Sequence, residues 1–136
     1  MEVSKNIIGS NWEFHHVGVI VPDMDEAVRY YESLGIFTFQ PEFGSRLRFA
    51  QVGAHRIELI SPTQGQPIFQ EFLDAKGGGM HHIAFTVDNL DAETAKLAAK
   101  DIPVITSRRR PEGGGIAFFD IRKYGGVIIE LMQPAK

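Results

Sequence analysis

FHHVGVIVPDMDEAVRYY, residues 14–31, returns in outline at residues 80–97 as MHHIAFTVDNLDAETAKL. Each copy reads as an apolar residue, two histidines, a strand-like run, an Asp-containing turn and a helical pattern. The offset between His15 and His81 is 81 − 15 = 66 residues, and it carries Asp25 onto Asp91 and Ile36 onto Ile102. Downstream, RIELISP (Arg56 to Pro62) resembles IIELMQP (Ile128 to Pro134), with Glu58 and Glu130 separated by 130 − 58 = 72 residues. The six-residue difference between the two offsets implies an insertion in the second half, and Gly113–Gly115 is the natural place for it. A recurring block of this kind marks one structural unit used twice.

Each block reads as strand, helix, then two or three strands. HHVGVIV is strand-like by its β-branched content, and Pro22-Asp23 breaks it. Asp23 or Asp25 is placed to cap the helix DEAVRYYESLG, which stops at Gly35. Ala27, Val28, Tyr31 and Leu34 give that helix one apolar face. RLRFAQV and RIELI read as an antiparallel pair joined at Gly53-Ala54. In the second block HHIAFTV is the strand, Asp91 starts the helix, and PVITS, GIAFFDI and GVIIELM are strands, with Gly125-Gly126 as the last hairpin turn. The link between blocks holds a short helix, IFQEFLDA, and a Gly-rich stretch. The expected class is α+β, as two tandem βαβββ modules: about 12–62 and about 80–134, joined by a linker at about 63–79, in a single domain over 12–136.

Composition bounds the chemistry. At 136 residues and 43% hydrophobic, the chain can bury one core but hardly two large ones. The net charge of −3, with both signs interspersed, implies no nucleic-acid or anionic-membrane surface. Arg108–Arg110 is a short basic run of the kind that is usually just solvated. The absence of cysteine excludes disulfides, thiolate nucleophiles and sulfur-ligated metals. No apolar stretch approaches the roughly 20 residues that span a bilayer, and MEVSKNIIGS lacks the apolar region of a signal peptide. A cytoplasmic protein is the expectation.

Strand alternation separates the two histidines of each pair. His15 shares a face with Val17, Val19 and Val21, and His81 with Ile83, Phe85 and Val87; these are core faces under the helices. His16 shares the other face with Gly18 and Ile20, and His82 with Ala84 and Thr86. The small Gly18 and Ala84 suggest open volume beside each histidine, as in a cavity wall. By the same test Glu58 and Glu130 point away from the faces of Ile57/Leu59 and Ile129/Leu131. A carboxylate within an apolar strand is costly unless paired, and two at matching positions share a need for a cation. Taken singly, a strand histidine is more often a core or surface residue, and a strand glutamate usually faces water. Here both recur in register, so His16, Glu58, His82 and Glu130 are the expected ligands of one divalent ion: Co, Ni, Zn, Mn or Fe. His55, without a counterpart in the repeat, reads as a surface residue.

From about Phe14 to Pro134 the chain resembles the vicinal oxygen chelate superfamily, which includes glyoxalase I, extradiol dioxygenases and the bleomycin-resistance proteins. HHVGVIVPDMDEAVRYYESLGI, IELISPTQGQPIFQEFLDAKGGGMHHIAFTVDNLD and GGGIAFFDIRKYGGVIIELMQP are most similar to its methylmalonyl-CoA epimerase family. The resemblance implies a half-open, barrel-like cup of paired βαβββ modules around a metal, with His16, Glu58, His82 and Glu130 on the ligand positions. It also implies a second catalytic glutamate near the start of the strand after helix one. The matching stretch GSRLRFA holds Arg46, Leu47 and Arg48 instead, with Glu42 in the preceding loop.

The implied reaction is removal of a proton next to a carbonyl, with Glu130 and then Glu58 as catalytic carboxylates. The implied substrate is a 2-substituted acyl-CoA thioester, with Arg46, Arg48, Arg108, Arg109, Arg110 and Lys123 as candidate contacts to its phosphates and PEGGGIAFF as a loop that approaches it. A glyoxalase I-like lactoylglutathione lyase acting on a methylglyoxal hemithioacetal is the alternative, since it uses the same four ligands. A binding-only member is disfavoured by the paired glutamates, and a dioxygenase by the second carboxylate. A homodimer is the expectation by analogy, with no nucleic acid and no membrane as partner.

Overall fold

The structure is a computed structural model that describes residues 11–35, 38–39, 47–62 and 66–135. In chain order its elements are β1 (Glu13–Ile20), α1 (Met24–Ser33), β2 (Thr38–Phe39), β3 (Leu47–Val52), β4 (His55–Ile60), α2 (Pro67–Lys76), β5 (Gly79–Thr86), α3 (Leu90–Ala98), β6 (Val104–Arg109), β7 (Gly115–Asp120), α4 (Arg122–Gly125) and β8 (Ile128–Gln133). The βαβββ pattern therefore occurs twice in a mixed α+β fold, as β1-α1-β2-β3-β4 and as β5-α3-β6-β7-β8, with α2 in the link. The chain divides into two compact units, His16–His82 and Met1–His15 with Ile83–Lys136.

In the unit His16–His82 the strand order is β2-β3-β4-β1. A tight turn at Gly53-Ala54 lets β3 and β4 pair antiparallel, with Phe49 opposite Glu58. β1 runs parallel to β4, with Gly18 beside Glu58 and Val19 beside Leu59. A parallel pair needs a long crossover, which α1 and the strands after it supply. Asp23 caps α1, its side chain accepting from the Glu26 N–H at 3.0 Å, and Asp25 and Glu26 complement the dipole of the first turn. Val21, Met24, Ala50 and Leu59 are buried together, with Val19, Ala27, Val28, Tyr31 and Ile57 packed against them. The Val19 and Leu59 faces are thus the helix-covered core faces that alternation predicts, which leaves His16 and Glu58 on the opposite side.

In the other unit β5, β8, β7 and β6 lie in that order, with β7 antiparallel to both β6 and β8. Its core gathers Val87, Leu90, Leu97, Ala117, Phe119, Ile129 and Leu131. Glu93 of α3 is buried with them and accepts from Trp12 Nε1 at 2.8 Å and from Lys96 Nζ at 3.1 Å, which offsets the cost of desolvating its carboxylate.

Two local readings are corrected. The cap of α3 is Asn89, which accepts from the Ala92 N–H at 3.0 Å; Asp91 lies inside the first turn. Asn89 is also the repeat counterpart of Asp23, at 89 − 23 = 66 residues, so the cap belongs to the duplicated pattern. Gly125-Gly126 is not a two-residue hairpin turn. The last rung between β7 and β8 pairs Asp120 with Ile128, and the connection coils into α4, which Gly126 ends at φ +77°. Asp120 accepts from the Arg122 backbone N–H at 3.0 Å and its side-chain Nε and Nη2 at 2.9 and 2.7 Å, which holds the start of that turn. Glu42, Arg46 and the linker residues 63–65 lie outside the described residues. Among the described residues no helix is long and apolar enough to cross a membrane.

Candidate metal centre

Three of the four predicted ligands converge within the unit His16–His82. His16 comes from β1, Glu58 from β4 and His82 from β5. His16 Nε2 lies 3.3 Å from His82 Nε2 and 3.4 Å from Glu58 Oε1, and His82 Nε2 lies 3.9 Å from the same oxygen. The three side chains form a group whose ligand atoms all fall within 4.8 Å of one another. Both histidines are essentially sealed from solvent, and Glu58 is 9% exposed.

These separations suit a small divalent cation. Two donors at metal distances of about 2.0–2.1 Å stand about 3.3 Å apart at a tetrahedral angle and about 2.9 Å apart at a right angle. The 3.3 and 3.4 Å separations match the first value, and 3.9 Å is slightly wider. Two imidazole nitrogens and a carboxylate oxygen, without sulfur, are a donor set for Zn, Co, Ni, Mn or Fe(II). Buried in an apolar wall, a carboxylate this close to two imidazoles also demands positive charge nearby. The residues fit the group.

The surroundings hold each ligand in place. Gly18 sits beside Glu58 in the parallel ladder, and a Cβ built on it would meet Cε1 and Nε2 of the His82 ring and come within 2.6 Å of its Nδ1. The small residue on the histidine face therefore does not leave open volume, as expected from sequence; His82 fills it. His16 packs edge-on to Phe49, ring centroids 5.6 Å apart. His82 lies roughly parallel to Phe69 of α2, centroids 6.2 Å apart and planes 25° apart.

Glu130, the fourth predicted ligand, is buried at 6% exposure in β8, opposite Phe118 of β7, in the other unit. His55 opens β4 and is exposed, as expected of a surface residue. Of the cationic side chains, Arg48 is half-buried on β3, while Arg108, Arg109 and Lys123 are exposed. Arg109 is paired with Asp91, and Arg110 Nη1 donates to the Gln133 carbonyl at 3.4 Å. Sequence reasoning placed His81 on a core face apart from His82, whereas its Nδ1 lies 2.7 Å from that of His82, and it gave Phe49 and Phe69 no part in the site. The doubled histidine and the PIFQEF segment, Pro67 to Phe72, were the visible signals, but neither reveals which rings meet.

Comparison with known proteins adds the following. The Glyoxalase/Bleomycin resistance protein/Dioxygenase superfamily profile matches residues 15–119. The mitochondrial methylmalonyl-CoA epimerase of Homo sapiens is 32% identical over 93% of this chain and 78% of its own length. The crystal structure of methylmalonyl-CoA epimerase from Mycobacterium tuberculosis superposes with a TM-score of 0.72 at 27% identity, covering 99% of this chain and 94% of that one. A variant of the Streptomyces coelicolor methylmalonyl-CoA epimerase in complex with 2-nitronate-propionyl-CoA superposes with a TM-score of 0.65 at 28% identity, covering 91% of this chain and 98% of that one.

Proposed function

Because the chain belongs to the glyoxalase/bleomycin resistance protein/dioxygenase superfamily, and within it to the methylmalonyl-CoA epimerase family, we propose that it epimerises methylmalonyl-CoA or a closely related 2-substituted acyl-CoA. The observation that carries this reading is the meeting of His16, Glu58 and His82 within 4.8 Å in a buried wall, in a chain whose relatives bear the epimerase name. Those relatives do not favour the glyoxalase I-like alternative, which draws only on the superfamily as a whole.

The reaction takes a proton from the carbon beside the thioester carbonyl and returns one to the opposite face, so the carbon inverts and nothing else is gained or lost. Such a C–H is a weak acid, and the difficulty lies in the negative charge that spreads onto the carbonyl oxygen. A divalent ion bound at the site supplies Lewis-acid stabilisation of that charge. His16, Glu58 and His82 would hold it, with Glu130 as fourth ligand. The argument for Glu130 is its repeat relationship to Glu58 and its burial in an otherwise apolar strand. A proton leaving one face and another arriving on the opposite face calls for acid–base groups on both sides. Glu130 is assigned that duty first and Glu58 second.

His16 and His82 would hold the ion through Nε2. Phe49 and Phe69 pack on these rings, which limits the water that could compete for the developing charge. The cationic side chains Arg48, Arg108, Arg109, Arg110 and Lys123 remain candidates for the phosphates of the acyl-CoA. The proposal extends to a cytoplasmic homodimer with one domain over residues 12–136, and the sedimentation mass of the purified protein checks the dimer.

The deciding experiment follows the α-hydrogen of methylmalonyl-CoA in heavy water with and without an added divalent ion. Metal-dependent exchange of that hydrogen for deuterium is the expected result. Absence of exchange with methylmalonyl-CoA and with other 2-substituted acyl-CoA thioesters would overturn the reading.

A further inference from the structure

His81, the first histidine of the second pair, has no part in the mechanism above, yet it is 2% exposed. Its Nδ1 lies 2.7 Å from Nδ1 of His82, the two rings standing at 88° with centroids 5.0 Å apart. The ring of His81 is held edge-on by Phe69 at 5.4 Å and Phe72 at 5.0 Å, both from α2. Phe69 also packs on His82. One helix of the inter-module link therefore touches both histidines.

A neutral imidazole carries hydrogen on one nitrogen and a lone pair on the other. For Nε2 of His82 to act as a ligand, the hydrogen must sit on Nδ1, and a buried Nδ1–H requires an acceptor. Nδ1 of His81 lies within reach at 2.7 Å and accepts when His81 carries its own hydrogen on Nε2; that nitrogen is buried, so desolvating its N–H is a cost that this arrangement carries. We propose that His81 is a positioning residue: it selects the tautomer of His82 and fixes the ring so that Nε2 faces His16 and Glu58, while Phe69 and Phe72 of α2 hold His81 in the pose that does so. The doubled histidine is then a ligand and its orienting partner on adjacent positions of one strand. This inference rests on the reading of His16, Glu58 and His82 as metal ligands.

The test is titration of the metal-free protein with Co2+, read by calorimetry and by the visible absorption bands of the bound ion, together with thermal melting of the metal-free proteins. His81→Phe keeps an aromatic ring in the slot and removes the nitrogen; His81→Asn keeps an acceptor near the position of Nδ1. Loss of an orienting partner typically weakens metal binding about 10–100-fold. His81→Phe is expected to show a loss of that size, with altered Co2+ bands and little change in melting, and His81→Asn to recover most of the affinity. Wild-type affinity and bands in His81→Phe would overturn the proposal, as would equal weakening in His81→Phe and His81→Asn. Should His81→Phe not fold, His81→Leu is judged by the same criterion. If the wild-type protein takes up no Co2+, or His82→Ala binds it as tightly, the metal reading itself has failed, and that outcome is distinct from failure of the role of His81.

Discussion

Gly18 and His82, 64 residues apart in the chain, occupy one another's space: the ring of His82 lies where the first carbon of any side chain at position 18 would stand. Glycine is required here for close approach, since its backbone already runs as ordinary β-strand in β1.

Gly18→Ala is therefore expected to push the His82 ring out of its seat. Overpacking of a filled interior costs about 1–3 kcal/mol, read as a lowered midpoint in urea unfolding. Co2+ binding should weaken alongside, because the displaced Nε2 no longer faces His16 and Glu58. Unchanged affinity would mean that the ring has a second pose with the same reach.

Metal binding should itself stabilise the fold. A ligand that binds only the native state at one hundred times its dissociation constant adds about 2.7 kcal/mol. Adding Co2+ to metal-free protein should raise the melting temperature, and a chelator should reverse the rise. His16→Ala and His82→Ala are expected to remove the response, and Glu58→Gln to reduce it.

Glu93 is predicted to matter for stability rather than chemistry. Glu93→Ala leaves the Trp12 indole N–H and the Lys96 ammonium without the carboxylate they share. A loss of about 1–3 kcal/mol is expected in denaturant unfolding, with Co2+ affinity unaltered. Glu93→Gln should cost less, since it keeps an acceptor for Trp12.

The helix caps offer a direct comparison. Asn89→Ala should cost about 1 kcal/mol, as should Asp23→Ala, because each removes the side-chain oxygen that accepts the first-turn N–H. Asp91→Ala should cost less, since Asp91 only complements the dipole and holds an exposed pair with Arg109. Equal costs for Asn89→Ala and Asp91→Ala would contradict the assignment of the cap.

Asp120 gives a pH signature. Its hydrogen bonds from the Arg122 side chain hold its carboxyl below the ordinary value of 3.8. A folded-state value below the unfolded one stabilises the fold at pH above the unfolded value, and the gain disappears as pH falls through the folded value. The pair is about one-third exposed or more, so solvent screening limits it to roughly 0.5 kcal/mol. The stability difference between wild type and Asp120→Asn should be full above about pH 5 and shrink towards zero as the solution is acidified below the ordinary aspartate range.

Much of the architecture was legible in the chain because it follows from local rules. The repeat of FHHVGVIVPD in MHHIAFTVDN, the two-residue alternation around Glu58 and the capped helices each depend on neighbours a few positions away. Those rules placed β1, β4, β5 and β8, and they put His16 and Glu58 on the face opposite Val19 and Leu59. They failed where a connection had more than one backbone solution. The segment after Asp120 contains two glycines that suit a hairpin, but the Asp120–Arg122 bonds and the left-handed Gly126 select a helical turn.

The sequence by itself determined which side chains share a strand face, that the module is used twice, and that imidazoles and carboxylates recur in matching places. Only the tertiary structure decided that His82 fills the space above Gly18, that His81 bonds to His82, and that Phe69 of the link packs on both. Alternation along a strand is dictated by backbone geometry and can be read from adjacent residues. Which rings meet depends on strand order and on close packing between segments far apart in the chain, and no local pattern encodes those distances.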